Sequence, residues 1–134
     1  MDNSYEDIVG ALTDYFDGFY TCDVTTLQKI FHPACHLYSA TDGGLVDADM
    51  ENVYKRIAKR ESPASRGDAR IDRVLSIDKS DEGTALVKLQ IAIGDKLFTD
   101  FLSLIHLDHR WQIISKTYTY TALAAEQAQA QAAE

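Results

Sequence analysis

The sequence predicts an α+β fold in which helices come first and an antiparallel sheet follows. Apolar residues recur at three- and four-residue steps between Ile8 and Ile57, the spacing of one helix face. From Ile71 onward the period changes to two, the alternation of a half-buried strand. Short polar turns separate the alternating runs, so the strands follow one another as a meander.

Each element can be justified in order. From Ser4 to about Tyr20, Ile8, Leu12, Tyr15, Phe16 and Phe19 share one helix face, and Ser4 with Asp7 has the pattern of a capping box with a shorter acid. Asp23 is a natural N-cap for a second short helix with Leu27, Ile30 and Phe31 inward, and Pro33 is expected to end it. His36 to Thr41 reads as a short strand closed by the turn residues Asp42-Gly43-Gly44. Asp49 to Arg60 reads as a third helix burying Met50, Val53, Tyr54 and Ile57, and Lys59 to Asp68 as a surface loop. Ile71, Arg73, Leu75 and Ile77 alternate in one strand, and Ala85, Val87, Leu89, Ile91 and Ile93 in the next. Gly94-Asp95-Lys96 leads into Leu97 to Leu107, and Asp108-His109 into Arg110 to Thr121. Residues 1–121 are expected to form one domain. The Ala/Gln-rich tail at 122–134 favours helix by propensity but offers little apolar surface to anchor it.

Composition narrows the function classes. A chain of 134 residues with 46% hydrophobic residues can build one substantial core. Twenty-one acidic residues against 13 Lys and Arg give a net charge of −8, which repels nucleic acid and anionic membrane surfaces. The opening Met1-Asp2-Asn3-Ser4 has no basic start, and no stretch approaches the roughly 18 apolar residues of a membrane span. A cytoplasmic location is therefore expected, with Cys22 and Cys35 as free thiols. There is no phosphate-binding glycine loop, Cys-x-x-Cys pair or Gly-x-Ser-x-Gly elbow, and no cofactor is expected. His32, Cys35 and His36 lie within five positions, but Pro33 and strand alternation keep their donors from converging, so no metal site is expected either.

Four segments are familiar as a set: Tyr20-Thr21-Cys22-Asp23, then Leu27-x-x-Ile30-Phe31-His32-Pro33-Ala34, then Phe98 to Leu104, then Trp111 to Tyr118. Their order and spacing resemble the putative lumazine-binding branch of the nuclear transport factor 2-like superfamily, which is related to the polyketide-cyclase-like (SnoaL-like) proteins. The resemblance covers about Tyr5 to Tyr120 and implies a cone-shaped, curved antiparallel sheet with three N-terminal helices, the cystatin-like roll. It also implies a concave pocket for a small molecule and an outer sheet face that pairs two subunits. This superfold hosts isomerases, dehydratases, cyclases and plain binding modules, so it fixes no reaction.

With Leu107 paired to Arg110 across a two-residue turn, an unbroken ladder places Asp100 opposite Thr117 and Leu104 opposite Ile113. Phe98, Asp100, Leu102, Leu104, His106, Trp111, Ile113, Ser115 and Thr117 then face inward, and Phe101, Lys116, Tyr118 and Tyr120 outward. In the opposite register Lys116 would hold an anionic ligand. Asp100 is the most informative residue, because a carboxyl among Phe98, Leu102 and Leu104 must be neutral, paired or reached by a ligand. The resemblance extends to the ketosteroid isomerases of the same superfold, whose oxyanion donors are a tyrosine and a protonated aspartate. Tyr15 and Asp100 fall near those two positions. That family's general base would fall near Tyr38 or Ser39, where this chain has no carboxylate, which leaves His36 to move a proton.

Tyr15, Asp100 and His36 are thus the candidate catalytic residues, with Phe16, Tyr38, Tyr54, Phe98, Leu102 and Trp111 as candidate ligand contacts. The leading expectation is a dimeric module that binds a small aromatic or carbonyl compound. The alternatives are a cofactor-independent isomerase, dehydratase or cyclase, and a structural dimerisation module with a filled interior.

Overall fold

A computed structural model describes residues 4–123. The helix α1 (Tyr5–Thr21) begins at Ser4, whose hydroxyl accepts from the Asp7 amide at 3.2 Å while the Asp7 carboxylate accepts from the Ser4 amide at 3.1 Å. This reciprocal cap satisfies two amides that the first turn leaves without partners. The predicted stripe of Ile8, Leu12, Tyr15, Phe16 and Phe19 is buried. The helix stops at Cys22, which takes the left-handed conformation (φ 53°) and returns its amide to the carbonyls of Gly18 and Phe19. A short α2 (Val24–Leu27), capped by Asp23, then folds against α1.

Pro33 does not end that helix. Gln28 caps it, and strand β1 (Phe31–Ser39) runs through Pro33. Strand β2 (Val46–Asp49), absent from the sequence reading, pairs with β1, and its last residue Asp49 caps α3 (Met50–Lys59) by accepting from the Asn52 amide at 2.9 Å. Met50, Val53 and Ile57 form the buried face of α3. The expected surface loop contains a one-turn helix, α4 (Pro63–Arg66), with Ser62 as N-cap, Pro63 at its start and Gly67 in left-handed conformation at its end.

The meander follows as predicted: β3 (Asp72–Lys79), β4 (Thr84–Ile93), β5 (Lys96–Leu107) and β6 (Arg110–Ala122). Asp108 and His109 both have positive φ, 54° and 64°, the geometry of a two-residue turn whose twist matches its strands. The six strands form one curved, open sheet in the order β2-β1-β6-β5-β4-β3. All neighbours are antiparallel except β1 and β6, which are parallel. The core lies between the helices and one face of this sheet, with Val87, Leu89, Leu102, Leu104 and Ile113 at its centre. The tail assigned to 122–134 lies, from residue 124, outside the described residues.

Two glycines on α1 test the packing. A Cβ built on Gly18 would sit 2.6 Å from the buried Leu27 side chain, whereas one on Gly10 meets nothing within 4 Å. Gly18→Ala is expected to destabilise by about 1–3 kcal/mol, the usual cost of overpacking. Gly10→Ala is expected to stabilise by up to about 1 kcal/mol through helix propensity. Urea unfolding of the two variants should move in opposite directions, and a common sign would show that α1 does not pack on Leu27 this closely.

Candidate functional site

One residue sets the geometry of the site. Along β5 and β6 the pairing runs Leu107↔Arg110 to Leu104↔Ile113, as expected, but Ser103 then pairs with Ser115, leaving Ile114 as an extra residue in β6. This β-bulge shifts the ladder, so that Asp100 lies opposite Tyr118 rather than Thr117. The expected faces of β6 are exchanged beyond that point: Lys116 turns inward and Thr117 is exposed. The other edge of β6 is irregular at the same place. Phe31 pairs with Ile113 and His36 with Ser115, so five steps of β1 match two of β6. Pro33, which has no amide proton, and Ala34 lie exposed within this irregular stretch of β1.

The inward turn brings Lys116 beside Asp100, with Nζ 3.4 Å from Oδ2. Both are buried, Asp100 fully and Lys116 to within 5%. The Tyr15 hydroxyl donates to the same Oδ2, while Asp100 Oδ1 has no hydrogen-bond partner. The ammonium also lies over aromatic faces, 4.7 Å from the Phe19 ring centre, 5.2 Å from Tyr15 and 5.4 Å from Tyr118. Loss of hydration lowers the Lys116 pKa, and the attraction of Asp100 opposes that shift. Burial, reinforced by the neighbouring Asp100, raises Tyr15 well above the usual phenol range. Cys35, beneath the same region, is pushed up to about 12 by burial.

Lys116, Phe19 and Tyr118 of this cluster line a cavity of about 180 Å³ between α3 and the sheet, whereas Tyr15 and Asp100 are fully buried and do not line it. A cavity of about 150 Å³ holds benzene, so the space accepts one ring with a short substituent. Phe19, Leu37, Val53, Ile57, Ile91 and Ile93 supply apolar wall, and Phe98, Tyr118 and Tyr120 supply aromatic wall. Among the described residues its charged lining consists of four cations, Lys116, Lys96, Arg56 and Arg60, and no carboxylate. Arg56 and Arg60, one turn apart at the end of α3, are exposed and make no ion pair with any described residue. Tyr120 is oriented by its hydroxyl, which donates to Asp42 at 2.6 Å.

The structure brings together Tyr15 and Asp100, and places Phe98 on the cavity wall. Phe16 and Leu102 are buried in the core, and Tyr54 packs half-buried beside it, its hydroxyl pKa pushed up to about 12 by burial. Trp111 lies in the core with His106 edge-on at 5.2 Å. His36 and Tyr38 alternate with the buried Cys35, Leu37 and Ser39, and so project from the other face of β1, stacked on each other at 6.0 Å. His36 there meets Asp47, with Nδ1 2.7 Å from Oδ1. Nearby His32 accepts the Ala34 amide at 2.9 Å. Sequence reasoning missed Arg56 and Arg60 and reached Lys116 only through the opposite register. The available signals were Pro33 inside a strand, which marks irregular pairing, and a pair of arginines four apart beside Val53 and Ile57.

Comparison with known proteins defines the class first. The fold is that of the nuclear transport factor 2-like proteins. A solved protein of that fold and unknown function from Shewanella baltica OS155 matches with TM-score 0.77 at 22% identity, covering 87% of this chain and 93% of that one. A ketosteroid isomerase-like protein from Erwinia carotovora atroseptica SCRI1043 matches with TM-score 0.65 at 8% identity, covering 86% and 94%. Within that class, residues 3–119 match the putative lumazine-binding family, and the chain belongs to it. The chain is also similar to Aldolase FrzH of Cladobotryum sp, at 23% identity over 118 residues, covering 87% of this chain and 90% of that protein.

The buried pair makes a direct prediction. Asp100→Asn leaves the Lys116 ammonium in the interior opposite a neutral amide, and breaking a buried pair costs roughly 3–5 kcal/mol. Adding Lys116→Met removes the orphaned charge and is expected to recover most of the loss. Urea unfolding of the two single variants and the double decides it, and strictly additive losses would show that the pair is not coupled.

Proposed function

We propose that the protein binds a small, planar organic anion bearing a carbonyl group, in the cavity between α3 and the sheet. The observation that carries this reading is the sign of the lining. In a chain of net charge −8, the described residues present four cations and no carboxylate to one aromatic-walled space. Asp100 already pairs with Lys116, and Asp42 is held by the Tyr120 hydroxyl, so Arg56, Arg60 and Lys96 are left to attract the ligand. A guanidinium pair matches the planar, two-oxygen geometry of a carboxylate.

A second reading, an enzyme acting on carbonyl compounds, is favoured by Lys116, a buried cation on the cavity wall that is backed by Asp100 and Tyr15. Buried donors of this kind stabilise a developing oxyanion. Similarity to a protein named as an aldolase supports the same class of chemistry. Reducing cytoplasm suits the two free thiols, Cys22 and Cys35.

Benzoate and benzamide, one ring each and differing in charge, test the first reading by calorimetry. Benzoate is expected to bind more tightly. Arg56→Ala and Arg60→Ala should each weaken it about tenfold, since a charge-assisted hydrogen bond contributes about 1.5–3 kcal/mol. Equal binding of the two compounds would overturn the proposal.

We also propose that the outer sheet face pairs two copies of the chain. On β4, β5 and β6 that face carries Leu86, Lys88, Gln90, Phe101, Ser103 and Thr117, with Leu86 and Phe101 each 45% exposed. None of these six residues is acidic, and the carboxylates of that face, Asp78 on β3 and Asp47 on β2, lie on the flanking strands. Light scattering at micromolar concentration should give twice the chain mass, and Phe101→Asp should give the monomer. A monomeric wild type would remove this interface.

A further inference from the structure

We propose that Lys116 forms a Schiff base with the carbonyl carbon of a small 2-oxo acid held in the cavity. This rests on the reading of the cavity as a ligand site and adds a covalent step to it. Three observations carry it. Among the described residues Lys116 is the one lysine that is buried, and its side chain both lines the cavity and meets Asp100. Its surroundings, the rings of Phe19, Tyr15 and Tyr118, exclude the water that keeps an ordinary lysine charged and unreactive. The guanidinium groups of Arg56 and Arg60 line the same space, where they can hold a carboxylate while the adjacent ketone reaches Nζ.

The step balances without a further reagent. Lys116 passes a proton to its surroundings, and the neutral amine attacks the ketone carbon. A C–N bond forms and the carbonyl electron pair moves to oxygen, which takes up a proton. A second proton then moves from nitrogen to that oxygen, the C–O bond breaks, and water leaves as the C=N⁺ bond forms. An ammonium and a ketone become an iminium and water, with no change of charge and no change in oxidation state. The positive charge therefore stays on the same nitrogen, opposite the same Asp100 carboxylate. Asp100 Oδ1, which has no partner, can accept the proton that the amine sheds, and Tyr15 holds the carboxylate in place through Oδ2. The iminium withdraws electrons from the adjacent carbon, which loosens its C–H bonds and opens the way to an enamine.

Arginine in place of Lys116 would keep the charge but could not perform this step. Lysine is the residue type whose amine becomes nucleophilic when burial disfavours its charged form, and burial lowers the Lys116 pKa.

The experiment is reduction with borohydride in the presence of pyruvate or phenylpyruvate, read by intact mass and peptide mapping. The expected result is one adduct per chain, on Lys116, with loss of that adduct in Lys116→Arg and no loss in Lys29→Arg, which changes an exposed lysine. Because mapping of the wild type alone locates the adduct, a variant that fails to fold does not affect the outcome. Adducts confined to exposed lysines such as Lys29 and Lys55, or no adduct with either compound, would overturn the proposal. Benzoate binding that depends on Arg56 and Arg60 but is accompanied by no adduct at Lys116 would leave the ligand site standing and remove only the covalent step.

Discussion

The interior of this protein depends on one extra residue in β6. Without the bulge at Ile114, Lys116 would continue on the outer face, solvated and ordinary, and Asp100 would be a buried carboxylate with only Tyr15 for company. With it, two opposite charges are taken out of water together. Each alone would cost several kcal/mol to bury, so the bulge and the carboxylate are tolerable only as a pair. The bulge has its own support from the neighbouring strand. The Ile113 amide donates to the Ile30 carbonyl at 2.7 Å just before β1 departs from regular pairing around Pro33. An absent amide proton on one strand thus accompanies the inward turn of a lysine on the next.

The charge distribution has a similar logic. Acidic residues prevail over the whole chain, yet the cavity gathers cations from α3, β5 and β6. The arginines sit on the last two turns of α3 and just beyond, where cations also complement the negative end of the helix dipole. The helix C-terminus favours cations on its own account, so the cationic lining of the cavity is compatible with stability. Across the molecule Arg70 does purely structural duty, paired with Asp17 and Asp72 and stacked on Tyr20 at 4.8 Å. The contrast between that satisfied arginine and the unpaired Arg56 and Arg60 is what sets the cavity apart.

Most of the fold could be read from the residues because it rests on local rules. The α1 stripe, the Ser4–Asp7 box, the Asp23 and Asp49 caps and the Asp108-His109 turn are each fixed by neighbours within a few positions. Asp100 is legible because a lone carboxyl in an apolar alternation demands an explanation, and Tyr15 joins it through the resemblance to the ketosteroid isomerases. The errors arose where the outcome depends on distant strands. Pro33 looks like a helix stop, but the parallel partner β6 makes its surroundings a strand. Lys116 was set outward by an unbroken count of two, which a single bulge inverts. His36 was kept as a pocket base, but strand alternation with the buried Cys35 and Leu37 sends it to Asp47 on the other side.

The strand order has a bearing on how the chain comes to exist. Among the described strands β6 is the last to leave the ribosome, yet it is third from one edge, seated between β5 and the first strand, β1. Until it arrives, β1 and β2 form a hairpin with one open edge, and β5 offers another. Pairing over such long sequence separation is slow, and open edges invite partners from other chains. The wall that carries Lys116 and Tyr118 is completed in the same event that closes both edges. Nascent chains that stall before Arg110 would therefore present two sticky borders and no cavity, so completion of the cavity wall and escape from aggregation are one step.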